Sequence, residues 1–141
     1  MAGQTHPMSN AAAKKPRPKY LSFTALLFEI RLPVTAWASG LHRISGALLV
    51  LPFAAWLLYL LDTALSSEEG YQHVQAYLGK PIAKLALIIF VWAFAHHFFA
   101  GIRFLLLDLN KGIEIHRARA SAYVSIVLGA LTALIFAWRI W

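Results

Sequence analysis

The chain has 141 residues, 60% of them hydrophobic and 13% charged, with five tryptophans, a mean hydropathy of +0.61 and a formal net charge of +7. That balance is too apolar for a soluble domain of this size, and the cations sit beside apolar segments, where topology and anionic lipid explain them better than nucleic acid does. The absence of cysteine excludes disulfides, thiolate zinc sites, iron–sulfur ligation and cysteine nucleophiles, leaving histidine or carboxylate for any metal chemistry.

Residues 1–20 carry Pro7, Pro16, Pro18, Lys14, Lys15, Arg17 and Lys19 with no acidic residue, and read as a basic disordered tail. The tail has neither the apolar centre of a secretory signal nor the Arg-rich, Ser-rich amphipathic pattern of a transit peptide. Residues 21–141 read as one transmembrane domain. Its first part, 21–31, is short and interrupted by Glu29 and Arg31, which suits a segment at the interface or packed on a partner. Pro33 stands where a helix would begin, and residues 35–61 form the first predicted span, closed by Asp62. The run Ser66-Ser67-Glu68-Glu69 offers a capping box, and Tyr71, Val74 and Leu78 follow at helical spacing, so a short amphipathic helix is expected, ended by Gly79. Lys80-Pro81 opens the second span, 82–107, which Asp108, Asn110, Lys111 and Gly112 terminate. A charged hinge with Glu114, His116, Arg117 and Arg119 leads to the third span, 121–141, anchored by Tyr123, Trp138 and Trp141.

The expected fold is therefore all-α, with three transmembrane helices and one amphipathic helix between the first two. Lys14, Lys15, Arg17, Lys19 and Arg31 precede the first span and Lys111, Arg117 and Arg119 follow the second, eight cations against Lys80, Lys84 and Arg139 on the other side. The positive-inside bias places the N-terminus in the cytoplasm.

Ionisable groups at membrane depth are costly and by default functional. The second span holds His96, His97 and Arg103. At about 100° per residue, His97 shares a stripe with Gly101, Phe104 and Asp108, whereas His96 aligns with Arg103, so the two imidazoles cannot address one metal from a regular helix. His97 is the better ligand candidate, because Gly101 removes a side chain that would crowd a large planar ring. An imidazole without a neighbouring carboxylate suits haem iron better than a hard cation. The competing reading is an interhelical hydrogen bond from His97, with Gly101 serving close helix approach. His96 suits a supporting or interhelical role.

The first span carries Ser39, Gly40, His42, Arg43 and Gly46 in its first half. Arg43 could snorkel to head groups. With Ser39 and His42 beside it, it also suits anionic propionates, and Ser39 with Arg43 can hydrogen-bond a quinone carbonyl. His42 and Arg43 lie about 13–15 Å past Pro33, near the level of His97, which is about 15 Å from the end of its own span. Ligation of one iron by both His42 and His97 and ligation by His97 with a second subunit are both open on depth alone, the latter being simpler.

The segments Ser39-Gly40-Leu41-His42-Arg43-Ile44-Ser45-Gly46 and His97-Phe98-Phe99-Ala100-Gly101-Ile102-Arg103-Phe104-Leu105-Leu106-Leu107-Asp108 resemble the two motifs of the succinate dehydrogenase cytochrome b subunit family. The approach Arg31-Leu32-Pro33-Val34-Thr35-Ala36 and the turn Leu65-Ser66-Ser67-Glu68-Glu69-Gly70 extend the likeness to its bacterial form across nearly the whole chain. The resemblance implies a three-helix membrane anchor of complex II, not catalytic alone, in the bacterial inner membrane. With a second small anchor subunit it would bind haem b and hold the flavoprotein and iron–sulfur subunits. Electrons from succinate would then reach ubiquinone at this anchor. It further implies His97 as the axial iron ligand, His42 and Arg43 near the haem propionates, and Ser39 and Arg43 at the quinone. Asp108 matches the family's acidic residue after the second span. Phe104 departs from the family, which often has histidine there, and His96 is an extra histidine.

Three alternatives stand beside this reading. A fumarate reductase or other quinone-linked anchor differs in quinone and direction of electron flow. A non-redox structural anchor would lack haem. A transporter would need polar residues across the whole span, which the outer halves of the first two spans and nearly all of the third lack.

Overall fold

The computed structural model describes Thr24 and residues 31–141. The chain divides into two units, Met1–Arg31 and Leu32–Trp141, and all the helices below belong to the second. The basic tail and most of the 21–31 segment lie outside the described residues. Three helices are long and apolar enough to cross a membrane: Val34–Ser66, Pro81–Asp108 and Ile115–Ile140. The described residues contain no strand, so the all-α, three-span expectation holds.

The first span starts where Pro33, in extended conformation, accepts from the amides of Ala36 and Trp37. It comprises α1 (Val34–Leu48), a π-helical turn (Leu49–Phe53) and α2 (Ala54–Ser66). Pro52 lies inside that turn. A proline in a regular helix removes one hydrogen bond and clashes with the carbonyl four residues back; the wider turn, closed by the Ala54 amide on the Leu49 carbonyl, absorbs both. Asp62 does not close this span, contrary to the sequence reading. A single exposed aspartate costs a helix little, and the break comes at Ser67, whose φ of −167° and ψ of 165° are extended.

Ser67 caps α3 (Glu68–Leu78) by accepting from the Gly70 amide at 3.0 Å, with Glu68 and Glu69 in the first turn. Gly79 follows the last residue, and Pro81 at the first position opens α4 (Pro81–Asp108). The end of α4 is a Schellman turn: Lys111 donates to the Leu106 carbonyl and Asn110 to that of Leu107, with Asn110 left-handed at φ 56°. The third span, α5 (Ile115–Ile140), begins six residues earlier than the sequence suggests, since 121 minus 115 is 6. His116, Arg117 and Arg119 form its exposed first turns rather than a hinge, and Arg117 pairs with Glu114 at 3.2 Å.

Helix α4 packs against both α1 and α5. The buried positions are mostly small: Ala38, Ser45, Ala93, Ala95, Ala100, Ala122, Ser125 and Ala133. Small residues let backbones approach closely where lipid, no less apolar than leucine, gives no hydrophobic drive for helix association. Large apolar side chains such as Leu51, Leu58, Leu134 and Trp138 point outward. The largest fully buried side chain is His96.

Candidate functional site

Two faces of α4 carry the polar groups, and the about 100° between successive residues sends His97 to α1 and His96 to α5. On the α1 side, the rings of His97 and His42 stack with centroids 4.1 Å apart and planes 9° from parallel. The depth match expected from the sequence is therefore present. His97 Nδ1 lies 3.1 Å from the carbonyl oxygen of His42 and 3.4 Å from Ser45 Oγ. A carbonyl can only accept, so Nδ1 carries the proton and donates it, which leaves Nε2 with a lone pair. Ser45 Oγ donates to the same carbonyl at 2.9 Å.

Gly46 completes the seat. A methyl group at that position would meet His97 Cε1 at 2.8 Å and Nδ1 at 3.2 Å, so the imidazole edge rests on bare backbone. Gly101 faces the other ring: a methyl there would lie 3.8 Å from His42 Nε2. The sequence reading gave that space to a planar group; the nearest neighbour is His42. Phe104 packs on His42 with centroids 5.1 Å apart, so its aromatic body becomes part of the wall.

This geometry bears on metal chemistry. An iron held by both histidines would have to lie in the plane of each ring, in line with a lone pair, whereas the two rings lie face to face. The pair as arranged offers one ligand, His97 Nε2. Among the described residues no three His, Asp or Glu side chains gather as a metal cage. An ion needing a full set of protein donors does not fit; a group bringing its own equatorial donors and needing one axial imidazole does.

Ser39 and Arg43 lie one turn apart on α1, Ser39 half-buried and Arg43 exposed. Neither side chain makes a hydrogen bond or ion pair to the described residues, so their donors are available to a ligand or partner. Asp108 is the exposed last residue of α4.

The α5 side is dry. His96 is wholly buried, stacked on Trp92 at 5.8 Å, and neither ring nitrogen has a hydrogen-bond partner among the described residues. The backbones of Ala38 and Ser125 approach the ring, short of hydrogen-bond geometry. Gly129 allows the contact, since a methyl there would meet His96 Cβ at 2.9 Å and Cα at 3.0 Å. Further along, Arg103 is 7% exposed; Nε donates to Ser121 Oγ at 3.1 Å and Nη2 to the Ala118 carbonyl at 3.4 Å. An arginine at a bilayer centre costs about 2.5–3.5 kcal/mol on the insertion scale, and these bonds with the Phe104 ring offset part of that. Sequence reasoning missed Ser45 and Gly129 as supports. The available signal was a small residue within an apolar helix, which marks close approach but names no partner.

The comparisons with known proteins agree with this architecture. Residues 14–136 match the family described as succinate dehydrogenase/fumarate reductase transmembrane subunit. The chain is 36% identical over 126 residues to the succinate dehydrogenase cytochrome b556 subunit of Coxiella burnetii, covering 89% of this chain and 97% of that one. It is 30% identical over 110 residues to the cytochrome b556 subunit of Paracoccus denitrificans, covering 75% and 84% of the two chains. With the cytochrome b560 subunit of Reclinomonas americana it shares 31% identity over 115 residues, 78% of each chain. Three apolar spans, paired histidine faces and a match over most of the length establish that the chain belongs to the succinate dehydrogenase/fumarate reductase transmembrane subunit family, the multi-pass membrane subunits of an oxidoreductase complex.

Proposed function

We propose that the chain is the cytochrome b anchor of a succinate:ubiquinone oxidoreductase, with His97 as one axial ligand of haem b. The observation that carries this is the His97 Nδ1–His42 carbonyl bond of 3.1 Å, which fixes the tautomer and keeps Nε2 for iron. Metal-bound histidines characteristically donate their other nitrogen to a carbonyl or carboxylate, which also raises ligand basicity. The cytochrome names of the relatives support the same reading. When bound, haem b supplies one-electron storage within the membrane.

The residues of this chain have separable tasks in that reading. His97 holds the iron, Gly46 leaves room for its ring, and Ser45 and the His42 carbonyl set its orientation. His42 and Arg43 face the propionates, where a guanidinium offers paired donors to a carboxylate. Ser39 and Arg43 hydrogen-bond the carbonyl oxygen of ubiquinone, whose reduction to quinol takes two electrons and two protons; a cation beside that oxygen stabilises the charge that develops there. A second small anchor subunit would complete the haem site, and the flavoprotein and iron–sulfur subunits would deliver electrons from succinate. We place the chain in a bacterial inner membrane, and the charge bias of the loops supports an N-terminus inside.

Reduced-minus-oxidised spectra of the purified complex test the assignment. His97→Ala should abolish or displace the haem b band while His96→Leu keeps it; the reverse result refutes it. Ser39→Ala and Arg43→Ala should lower quinone reduction while succinate oxidation by an artificial dye continues, and unchanged quinone reduction in both would exclude a quinone site here. A complex without any reducible haem b would favour the non-redox anchor. Turnover with succinate and a ubiquinone against turnover with fumarate and a low-potential quinol separates the two directions.

A further inference from the structure

The end of the bundle where α4 stops and α5 begins holds a feature that none of Ser39, His42, Arg43 and His97 lines. A cavity of about 330 Å³ there is lined by Arg103, Lys111, Arg117 and Ser121. A second cavity of about 310 Å³ shares Arg103, Leu106 and Ser121 with it and continues between the two helices along Phe99, Ile102, Val124 and Leu128. The first brings three cations together among Leu106, Leu107 and Gly112, and the second is almost wholly apolar. Together they make a cleft with a cationic mouth and a hydrocarbon lining.

The charge of that mouth is poorly compensated. Arg103, more than nine-tenths buried, has a hydroxyl and a carbonyl as partners and no carboxylate among the described residues. Two acidic side chains stand in the adjoining segments: Asp108 is exposed at the end of α4, lines neither cavity and makes no ion pair among the described residues, and the exposed Glu114–Arg117 pair is weak and screened. Lys111 is exposed and brought under the last turn of α4 by the Schellman turn, which the left-handed Asn110 makes possible. Three cations around a space too large for one water, opening onto an apolar groove, complement a molecule with an anionic head and an acyl tail.

We propose that this cleft binds one anionic phospholipid, its phosphate against Arg103, Lys111 and Arg117 and one acyl chain in the groove between α4 and α5. The lipid supplies the negative charge that the protein leaves out, at the depth where head groups lie. It also fills the space between two helices that otherwise touch through small residues.

The test uses the delipidated complex with all its co-purifying subunits in neutral detergent, titrated with phosphatidylglycerol, with phosphatidylcholine of the same acyl chains, and with inorganic phosphate, and read by native mass spectrometry. One phosphatidylglycerol should bind at least tenfold more tightly than phosphatidylcholine. The pair Lys111→Gln and Arg117→Gln, which leaves the Arg103–Ser121 tie intact, should weaken it about 25-fold, about fivefold per cation. Val124→Trp, which fills the groove and keeps every charge, should weaken it as well. Subunit content and the haem spectrum of each variant report whether the complex has folded. Equal binding of the two lipids, unchanged phosphatidylglycerol binding in either variant, or displacement by millimolar inorganic phosphate, which would make this a free-phosphate site, overturns the proposal.

Discussion

His96 and His97 are adjacent in the chain and live in opposite environments. His97 faces α1, where one ring nitrogen donates to a carbonyl and the other keeps its lone pair. His96 faces α5, where both nitrogens are sealed away without a hydrogen-bond partner among the described residues. Each histidine lies against a glycine of the opposing helix, the His97 ring on Gly46 and the His96 backbone and Cβ on Gly129. The same device therefore serves different ends: on one side it seats a ligand, on the other it brings two helices together.

The contrast can be broken most forcefully at Gly129. A branched side chain in Gly129→Val would strike the Cα and Cβ of His96, which cannot swing aside, so α4 and α5 must separate. Overpacking of this kind costs about 1–3 kcal/mol and occasionally more. Thermal unfolding of the purified complex should drop by several degrees while haem per folded complex stays constant. Gly46→Ala comes next. The methyl would strike Cε1, the mobile edge of the His97 ring, so the ring turns while the helices stay. Haem occupancy or band position should change with little loss of thermal stability; a stability loss as large as that of Gly129→Val would erase the distinction between the faces.

A smaller effect is expected at His96 itself. His96→Leu removes two buried nitrogens that make no hydrogen bond among the described residues, and should leave stability within about 1 kcal/mol of the wild type, on the stabilising side. Marked destabilisation together with haem loss would mean that His96 carries the role given to His97. The smallest change is Ser45→Ala. It deletes the hydroxyl that donates to the His42 carbonyl at 2.9 Å, and hydrogen bonds of this kind in membrane helices average about 0.6 kcal/mol. A shift in haem potential without a stability change would mark Ser45 as an orienting group.

Much of this contrast is legible in the sequence, and the reason is geometric. The 100° step between adjacent helical residues separates His96 from His97 without any knowledge of neighbours. Proline at the first position of α4 and serine before α3 announce their helices because their chemistry is local. Pairing across helices is another matter. Nothing in the spacing of residues 42 and 97 says that their rings stack, and Ser121 as the partner of Arg103 depends on how far α5 begins before it. Asp62 misleads for a related reason: polarity marks where the bilayer ends, whereas a helix ends only where backbone dihedrals change, here at Ser67.

The π-helical turn at Leu49–Phe53 has a further consequence for the first span. Such a turn accommodates one residue more than an α-helical turn, so it sets everything after it back by about 100° relative to an uninterrupted α-helix. His42, Ser45 and Gly46 before it address α4, while Trp56, Tyr59 and Thr63 after it line the cavity against α3. Deleting a single residue between 49 and 53 would let the turn close as ordinary α-helix and keep the second half on its present face, whereas straightening the helix with every residue retained would rotate that half by about 100°. The turn thus acts as a phase compensator along this span: a chain that kept all its residues but lost the turn would present different side chains to the bundle without changing any of their identities.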